Sequence, residues 1–246
     1  MKYMIHGCPS REWYIWEYLM PDMTGQGISE SEIILWIDTE GWGNLESFVK
    51  SMEWVAANEP PEEGIWHIQD DVLVSDHFAE RTKAHDSGVV YGFCNNLFDG
   101  EDTNRPGLQK SKYSWHSFQC VRIPNSYAAE FVKWFNDSAT QKFHAKTIAT
   151  GKCDDSLFKE FIHERHFRTM VLNMLPNIVD HIDYLIGGTV INQQREGDQK
   201  RPAYYWFERE KTMKLAEKIA ERQKKGAKGN AERAKGRTSG RNKSKA

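Results

Sequence analysis

The stretch Gly64-Ile-Trp-His-Ile-Gln-Asp-Asp-Val-Leu-Val74 decides how the rest of the chain is read. Ile65, Ile68, Val72 and Val74 give it strand-like, apolar flanks, and Asp70 and Asp71 form its one charged point. Adjacent carboxylates where a strand runs out into a loop are costly to bury without a cation. A hard divalent ion such as Mg²⁺ or Mn²⁺ takes oxygen ligands and commonly joins one or two protein carboxylates to substrate phosphates. The pair therefore points to a metal-diphosphate site. The plainer alternative is a turn or helix cap built from Asp.

Upstream of this stretch, strands and helices alternate. Lys2–Ile5 reads as a short strand. The segment 10–20 reads as a helix with Ser10 as N-cap, with Trp13, Trp16 and Met20 on one face, and with Pro21 ending it. The run Glu32-Ile-Ile-Leu-Trp-Ile-Asp38 is too continuously apolar for a sheet edge and predicts a buried parallel strand. Leu45–Ala57 carries Phe48, Val49, Met52 and Val55 at helical spacing, and Pro60-Pro61 stops it before the strand Ile65–Gln69. This order with short connections predicts an α/β domain whose mainly parallel central sheet is flanked by helices on both faces. Ligands of such sheets bind at the carboxyl ends of the strands, which is where Asp70 and Asp71 lie.

Downstream, Phe78–His85 reads as a helix, Val89–Phe93 as a strand, Phe118–Ile123 as a strand and 124–135 as a helix opened by Pro124 and Asn125. Between them Asn95–Tyr113 is polar and rich in turn residues, the composition of a functional or disordered loop. A second acidic pair, Asp154-Asp155, opens the helix Asp155–His166. Acids in a first turn are favoured by the helix dipole, so a cap explains them without chemistry. Thr169–Met174 reads as a strand leading into Leu175-Pro-Asn-Ile-Val-Asp-His-Ile-Asp-Tyr-Leu185. There is no P-loop and no dinucleotide-binding glycine fingerprint.

Taken in order, the acidic stretch at 69–71, the second pair at 154–155 and the Pro176…His181 segment resemble the GT-A glycosyltransferases over residues 1 to about 192. The resemblance implies a GT-A-like single domain that uses a nucleoside-diphosphate sugar together with Mn²⁺ or Mg²⁺. By that resemblance Asp71 and His181 hold the metal, with Asp180 and Asp183 as alternatives to His181. Asp70 and Gln69 lie beside the donor, although Gln69 stands where an acid is commoner in the family. Arg11, in the His6-Gly-Cys-Pro-Ser-Arg11 connection, takes a donor-side role. Asp155 or Asp154 acts as the general base on an acceptor hydroxyl, with Asp155 preferred.

Composition divides the chain in two. Of 33 Lys+Arg and 35 Asp+Glu, residues 208–246 hold 14 and 5, which is +9, and residues 1–207 hold 19 and 30, which is −11. Residues 1–207 are therefore expected to form the transferase domain, and 208–246 a basic C-terminal tail, helical over Glu208–Lys225 and disordered after Gly226. Tyr204-Tyr-Trp-Phe207 is an aromatic cluster suited to packing the join. Nucleic acid, simple solvation and an anionic membrane surface are the three readings of the tail, and a Lys/Arg arm fits nucleic acid through counterion release. Joined to a sugar-transfer core, it makes the chain similar in outline to phage-encoded DNA base glycosyltransferases. A glycan- or lipid-directed transferase, or a non-enzymatic nucleic-acid-binding protein whose aspartates are caps, are the alternatives. Cys8, Cys94, Cys120 and Cys153 form no Cys-x-x-Cys pair, no secretory signal is evident, and no apolar run approaches the roughly 20 residues that span a bilayer. A cytoplasmic protein is expected, in the host cytoplasm if phage-encoded.

Overall fold

The computed structural model describes residues 1–93, 107–110, 118–151, 154–166, 171–186 and 208–241. It divides into two units, Met1–Phe207 and Glu208–Ala246. Among the described residues of the first, nine strands form two sheets: β1 (Lys2–Gly7), β2 (Ile33–Ile37), β3 (Gly64–Gln69), β4 (Val72–Val74), β5 (Val89–Tyr91), β6 (Gly107–Lys110), β7 (Cys120–Pro124), β8 (Val171–Leu175) and β9 (Val179–His181). The large sheet has the order β2-β1-β3-β7-β5-β8-β6, and β4 pairs with β9 alone.

Strand direction follows from the connections. β1 is parallel to β2 and to β3, and β5 is parallel to β8. β7 runs against both of its neighbours, and β6 runs against β8. Five of the seven strands therefore share one direction, and the sheet is mainly parallel with two reversed members. Its faces are both covered, as helical crossovers require. On one side Phe48, Phe131, Phe158 and Phe161, from the helices Gly43–Asn58, Asn125–Phe135 and Asp154–Arg165, pack with Met4, Ile65, Val121 and Val171 of the strands. On the other, Tyr3 meets Phe78 at 6.0 Å between ring centroids, and its hydroxyl lies 2.8 Å from the Thr82 hydroxyl in the helix Phe78–Lys83.

Three local expectations are corrected. The first helix does not stop at Pro21. Glu12–Tyr14 passes through a π-type turn, Ile15–Leu19, into Met20–Gly25, where Pro21 occupies the first turn. A proline has no N–H to give to the ladder, and at the start of a new helical register that donor is not needed. The strand at 32–38 is not buried between two others. It is the edge strand β2, and all five of its residues are half-buried, because among the described residues only β1 pairs with it. The polar segment 95–113 contributes a strand, β6, while the remainder of that segment lies outside the described residues.

The second unit is a helix, Arg209–Arg241, that continues past Gly226 where composition predicts disorder. Ala, Glu, Lys and Arg between the glycines are strong helix formers and offset them. Cys8 and Cys120 are free thiols, while Cys94, Cys153 and the cluster Tyr204–Phe207 lie outside the described residues. Among the described residues no helix is long and apolar enough to cross a membrane.

A line of hydrogen bonds joins the first three strands to the helix Gly43–Asn58. Trp36 Nε1 donates to Ser47 Oγ at 3.1 Å, Ser47 Oγ lies 2.6 Å from His6 Nε2, and His6 Nδ1 lies 2.9 Å from His67 Nε2. With the indole filling one acceptor site, the Ser47 hydroxyl is assigned as donor to His6, which leaves His6 Nδ1–H to donate to His67. Only one proton fits between the two rings. Burial pulls the His6 pKa down to about 4 and that of the wholly buried His67 well below its ordinary value, where the His6 charge pushes in the same direction.

Acid sensitivity follows with a definite sign. Above pH 6.5 both imidazoles are neutral in the folded and unfolded chains and contribute no pH dependence. As pH falls from 6.5 toward 4 the unfolded chain takes up protons that the folded chain excludes, and stability is lost. Urea denaturation across this range is expected to show a falling midpoint. In His67→Phe, which keeps an aromatic ring against Phe48 and Phe118, the fall should be shallower; an unchanged slope would clear the pair of this role.

Candidate functional site

Asp70 and Asp71 follow β3 directly and are both buried, 5% exposed. A two-residue turn here leads from β3 into β4, which belongs to the other sheet, and both carboxylates lie against the same side chain. Their charge is met by Arg11, itself 6% exposed. One guanidinium nitrogen, Nη1, donates to Asp70 Oδ1 at 2.7 Å and to Asp71 Oδ2 at 2.9 Å. The cation that the sequence leaves open is thus in part supplied by the chain.

The first strand holds Asp70 from the other side. Cys8 N donates to Asp70 Oδ2 at 2.9 Å, and Asp70 N donates to His6 O at 3.0 Å. This approach needs Gly7. A Cβ there would meet Asp70 Cβ and Oδ2 at 3.0 Å and Ile15 Cδ1 at 2.9 Å. Tyr14 OH donates to Val72 O at 2.7 Å and ties the helix carrying Arg11 to the segment after the aspartates.

His181 arrives through the small sheet. Val72 in β4 pairs with His181 in β9, and Ile182 N donates to Asp71 O at 2.9 Å. The imidazole Nε2 lies 3.3 Å from Asp71 Oδ2, and Nδ1 lies 3.7 Å from Asp183 Oδ1. Burial alone raises the Asp71 pKa, but His181 and then Arg11 outweigh it and hold the carboxyl below its usual range. Asp70 goes the other way, since its burial and the Asp71 charge exceed the help from Arg11.

The second acidic pair divides by environment. Asp154 is 4% exposed, and its pKa is raised to about 7, first by burial, then by the charge of Asp155 and more weakly by that of Asp71. Its Oδ2 has no hydrogen-bond partner among the described residues. Asp155, half-buried, turns its Oδ1 to the Ser156 backbone N–H at 2.6 Å, as a first-turn acid does. Both carboxylates lie close enough to Tyr91 to reinforce the rise that burial gives its hydroxyl pKa.

The structure brings Arg11, Asp70, Asp71 and His181 into contact and sets Asp154 within electrostatic reach of Asp71. Gln69 ends β3, with its backbone N–H on Gln119 O at 3.0 Å. Asp180 lies in β9, opposite Leu73. Reading the residues alone misses Gly7, Tyr14 and Tyr91. Of these only Gly7, a glycine ending the strand Lys2–Gly7, carries a local signal.

The donor set suits a divalent ion in a limited way. Asp71 Oδ1 is buried with no hydrogen-bond partner among the described residues, which is the condition of a carboxylate oxygen awaiting a cation. Among the described residues no group of three or more His, Cys, Asp or Glu side chains is placed to hold a metal. An ion at Asp71 therefore needs oxygens from water or from a bound diphosphate, the usual arrangement for Mg²⁺. No protein-family model matches this chain, and no curated protein matches it.

Two substitutions probe this geometry. Gly7→Ala should push Asp70 off the Cys8 N–H and cost about 1–3 kcal/mol of stability, as overpacking typically does; an unchanged midpoint in urea would show that the approach tolerates a methyl group. Asp154→Asn removes a group whose pKa lies at about 7 in the fold against 3.8 in the unfolded chain. Between those values the folded state binds the extra proton, so wild-type stability declines as pH rises from 3.8 to 7. The variant escapes this decline. Its melting temperature relative to wild type should rise between pH 4.5 and pH 8 by several degrees, and a constant difference would mean that Asp154 is ionised in the fold.

Proposed function

We propose that this chain is a glycosyltransferase that moves a sugar from a nucleoside-diphosphate donor to a hydroxyl acceptor. One observation carries the reading: at the carboxyl end of the central strands, a buried Asp70-Asp71 pair shares Arg11 and meets His181, and a carboxyl with a pKa of about 7, Asp154, stands nearby. Ligands of parallel sheets bind at that end. Carboxylates held at opposite protonation tendencies by their surroundings are how one site divides acid-base roles.

In the proposed reaction Arg11 is the fixed cation of the donor side. What supports that place is its charge, held by two buried carboxylates at the end of β3, and the general match of a guanidinium to phosphate oxygens. Asp70, locked by Gly7 and Cys8, presents its backbone and the end of β3 to the donor sugar. Asp71, with its open Oδ1, and His181 would hold a Mg²⁺ or Mn²⁺ ion, which supplies positive charge against the departing diphosphate. Asp154 accepts the proton of the acceptor hydroxyl as the sugar bond forms. A carboxylate with a pKa near the working pH is both available as a base and strong enough to serve, and such assistance is worth roughly 10²–10⁴-fold. Asp155, which caps its own helix, has the lesser claim to that role.

The test is a panel of nucleoside-diphosphate sugars with the full chain, measuring heat of binding and Mn²⁺-dependent release of nucleoside diphosphate. One donor should bind and turn over. With it, Asp71→Asn is expected to weaken donor binding tenfold or more in the presence of Mn²⁺ and to have little effect in its absence. Failure of every donor to bind would end the transferase reading and leave the aspartates as a structural ion-pair network.

A further inference from the structure

The helix Arg209–Arg241 places Lys211, Lys214, Lys218, Arg222 and Lys225 at successive spacings of three, four, four and three residues. At 3.6 residues per turn these five cations fall within about 80° of arc and extend about 21 Å along the axis. Lys214, Lys218, Arg222 and Lys225 are exposed. Glu210, Glu217 and Glu221 fall on the neighbouring flank, and Glu210 pairs with Lys214 at 2.8 Å. Like charges three and four apart repel along a helix. The three Glu stand three or four residues from Lys214, Lys218 and Lys225 and offset part of that repulsion, which leaves five cations against three acids and a net positive stripe.

We infer that this stripe is a docking face for the phosphate backbone of duplex nucleic acid. The partner follows from what the helix contains and lacks. A straight row of cations matches the line of phosphates at the edge of a groove, where neutralising each phosphate releases condensed counterions. The helix has no Phe, Tyr or Trp. Single strands are bound through base stacking on aromatic rings, so they are the poorer fit. An interfacial membrane helix needs a broad apolar face with large side chains, and here Leu215 and Ile219 are the only branched aliphatic residues along the whole helix. Contacts to phosphate carry no sequence information, so binding through this row is expected to be independent of sequence. The inference rests on this helix alone and holds whether or not the Met1–Phe207 unit transfers a sugar.

The experiment uses the full chain and a 30-base-pair duplex of arbitrary sequence, with binding measured by fluorescence anisotropy across salt concentrations. Log affinity against log salt is expected to have a slope of about −4 or steeper, close to −0.9 for each phosphate engaged. Lys218→Gln/Lys225→Gln, both on the stripe, should reduce the magnitude of that slope by about 2 and weaken binding at least tenfold at low salt. Arg209→Gln/Lys224→Gln removes the same charge from outside the stripe and should change the slope by less than half as much. Equal effects of the two double variants would overturn the stripe and leave only general attraction to a basic segment. The inference is equally lost if the wild type does not bind duplex at low salt, or if phosphatidylserine vesicles or a single strand of the same length bind it as tightly. Circular dichroism of each variant guards against loss of the helix, and donor binding by the Met1–Phe207 unit should be the same in all of them.

Discussion

A single guanidinium shared by two consecutive carboxylates is the constraint around which the rest of this site is arranged. Asp70 and Asp71 leave β3 side by side and buried, and without Arg11 they would lose the one cation they share, leaving, among the described residues, Asp70 only the Cys8 N–H and Asp71 only His181. Breaking a buried pair by removing one partner typically costs about 3–5 kcal/mol, because the charge left behind stays buried. The surrounding structure is consistent with that penalty. Gly7 gives up a side chain so that Asp70 can come close, Cys8 contributes its backbone N–H, and Tyr14 anchors the helix that carries Arg11. The π-type turn at Ile15–Leu19 follows directly in the same helical run and lets the chain carry Pro21 without breaking.

That arrangement also separates the carboxylates electrostatically. Asp71 sits between Arg11 and His181 and is held ionised, whereas Asp154 receives burial and like charge with no cation and is pushed up to about 7. Neither value is a property of aspartate. Each is set by what the fold places around it. The buried His6–His67 pair is the opposite case, two titratable rings kept neutral by burial and joined by a hydrogen-bond line that ties the first three strands to the helix Gly43–Asn58.

Much of the fold was legible because its signals are local. The alternation of apolar runs with helical periodicities announced β1, β2, β3, β5, β7 and β8 and the helices Gly43–Asn58, Phe78–Lys83, Asn125–Phe135 and Asp154–Arg165, but not the short helices Ser138–Phe143 and Ala145–Ile148. The expectation of a buried strand at 32–38 failed because a continuously apolar run is compatible with an edge whose exposed side is half covered, and periodicity carries no information on which neighbour is missing. Pro21 misled because the rule that proline ends a helix assumes an unbroken α register. The antiparallel placement of β7 and β6 is likewise invisible locally, since strand direction depends on where long connections return.

For the site, the residue types and their positions at strand ends and helix starts are written in the sequence: an Arg in the first connection, two adjacent acids after the third strand, an acidic pair opening a helix, a His after a proline. Which of these meet was decided only by tertiary structure. Val72 and Val74 read as strand-like, but nothing local shows that their partner is the three-residue β9, and that pairing, with the Ile182 N to Asp71 O bond, sets His181 beside Asp71 across more than a hundred residues of chain. Asp154 and Asp155 look equivalent in sequence, and one turn of helix packing makes the first buried and proton-holding and the second a cap. Sequence determines which groups are available. Burial and neighbouring charge, which exist only once the chain is folded, determine what each of them can do.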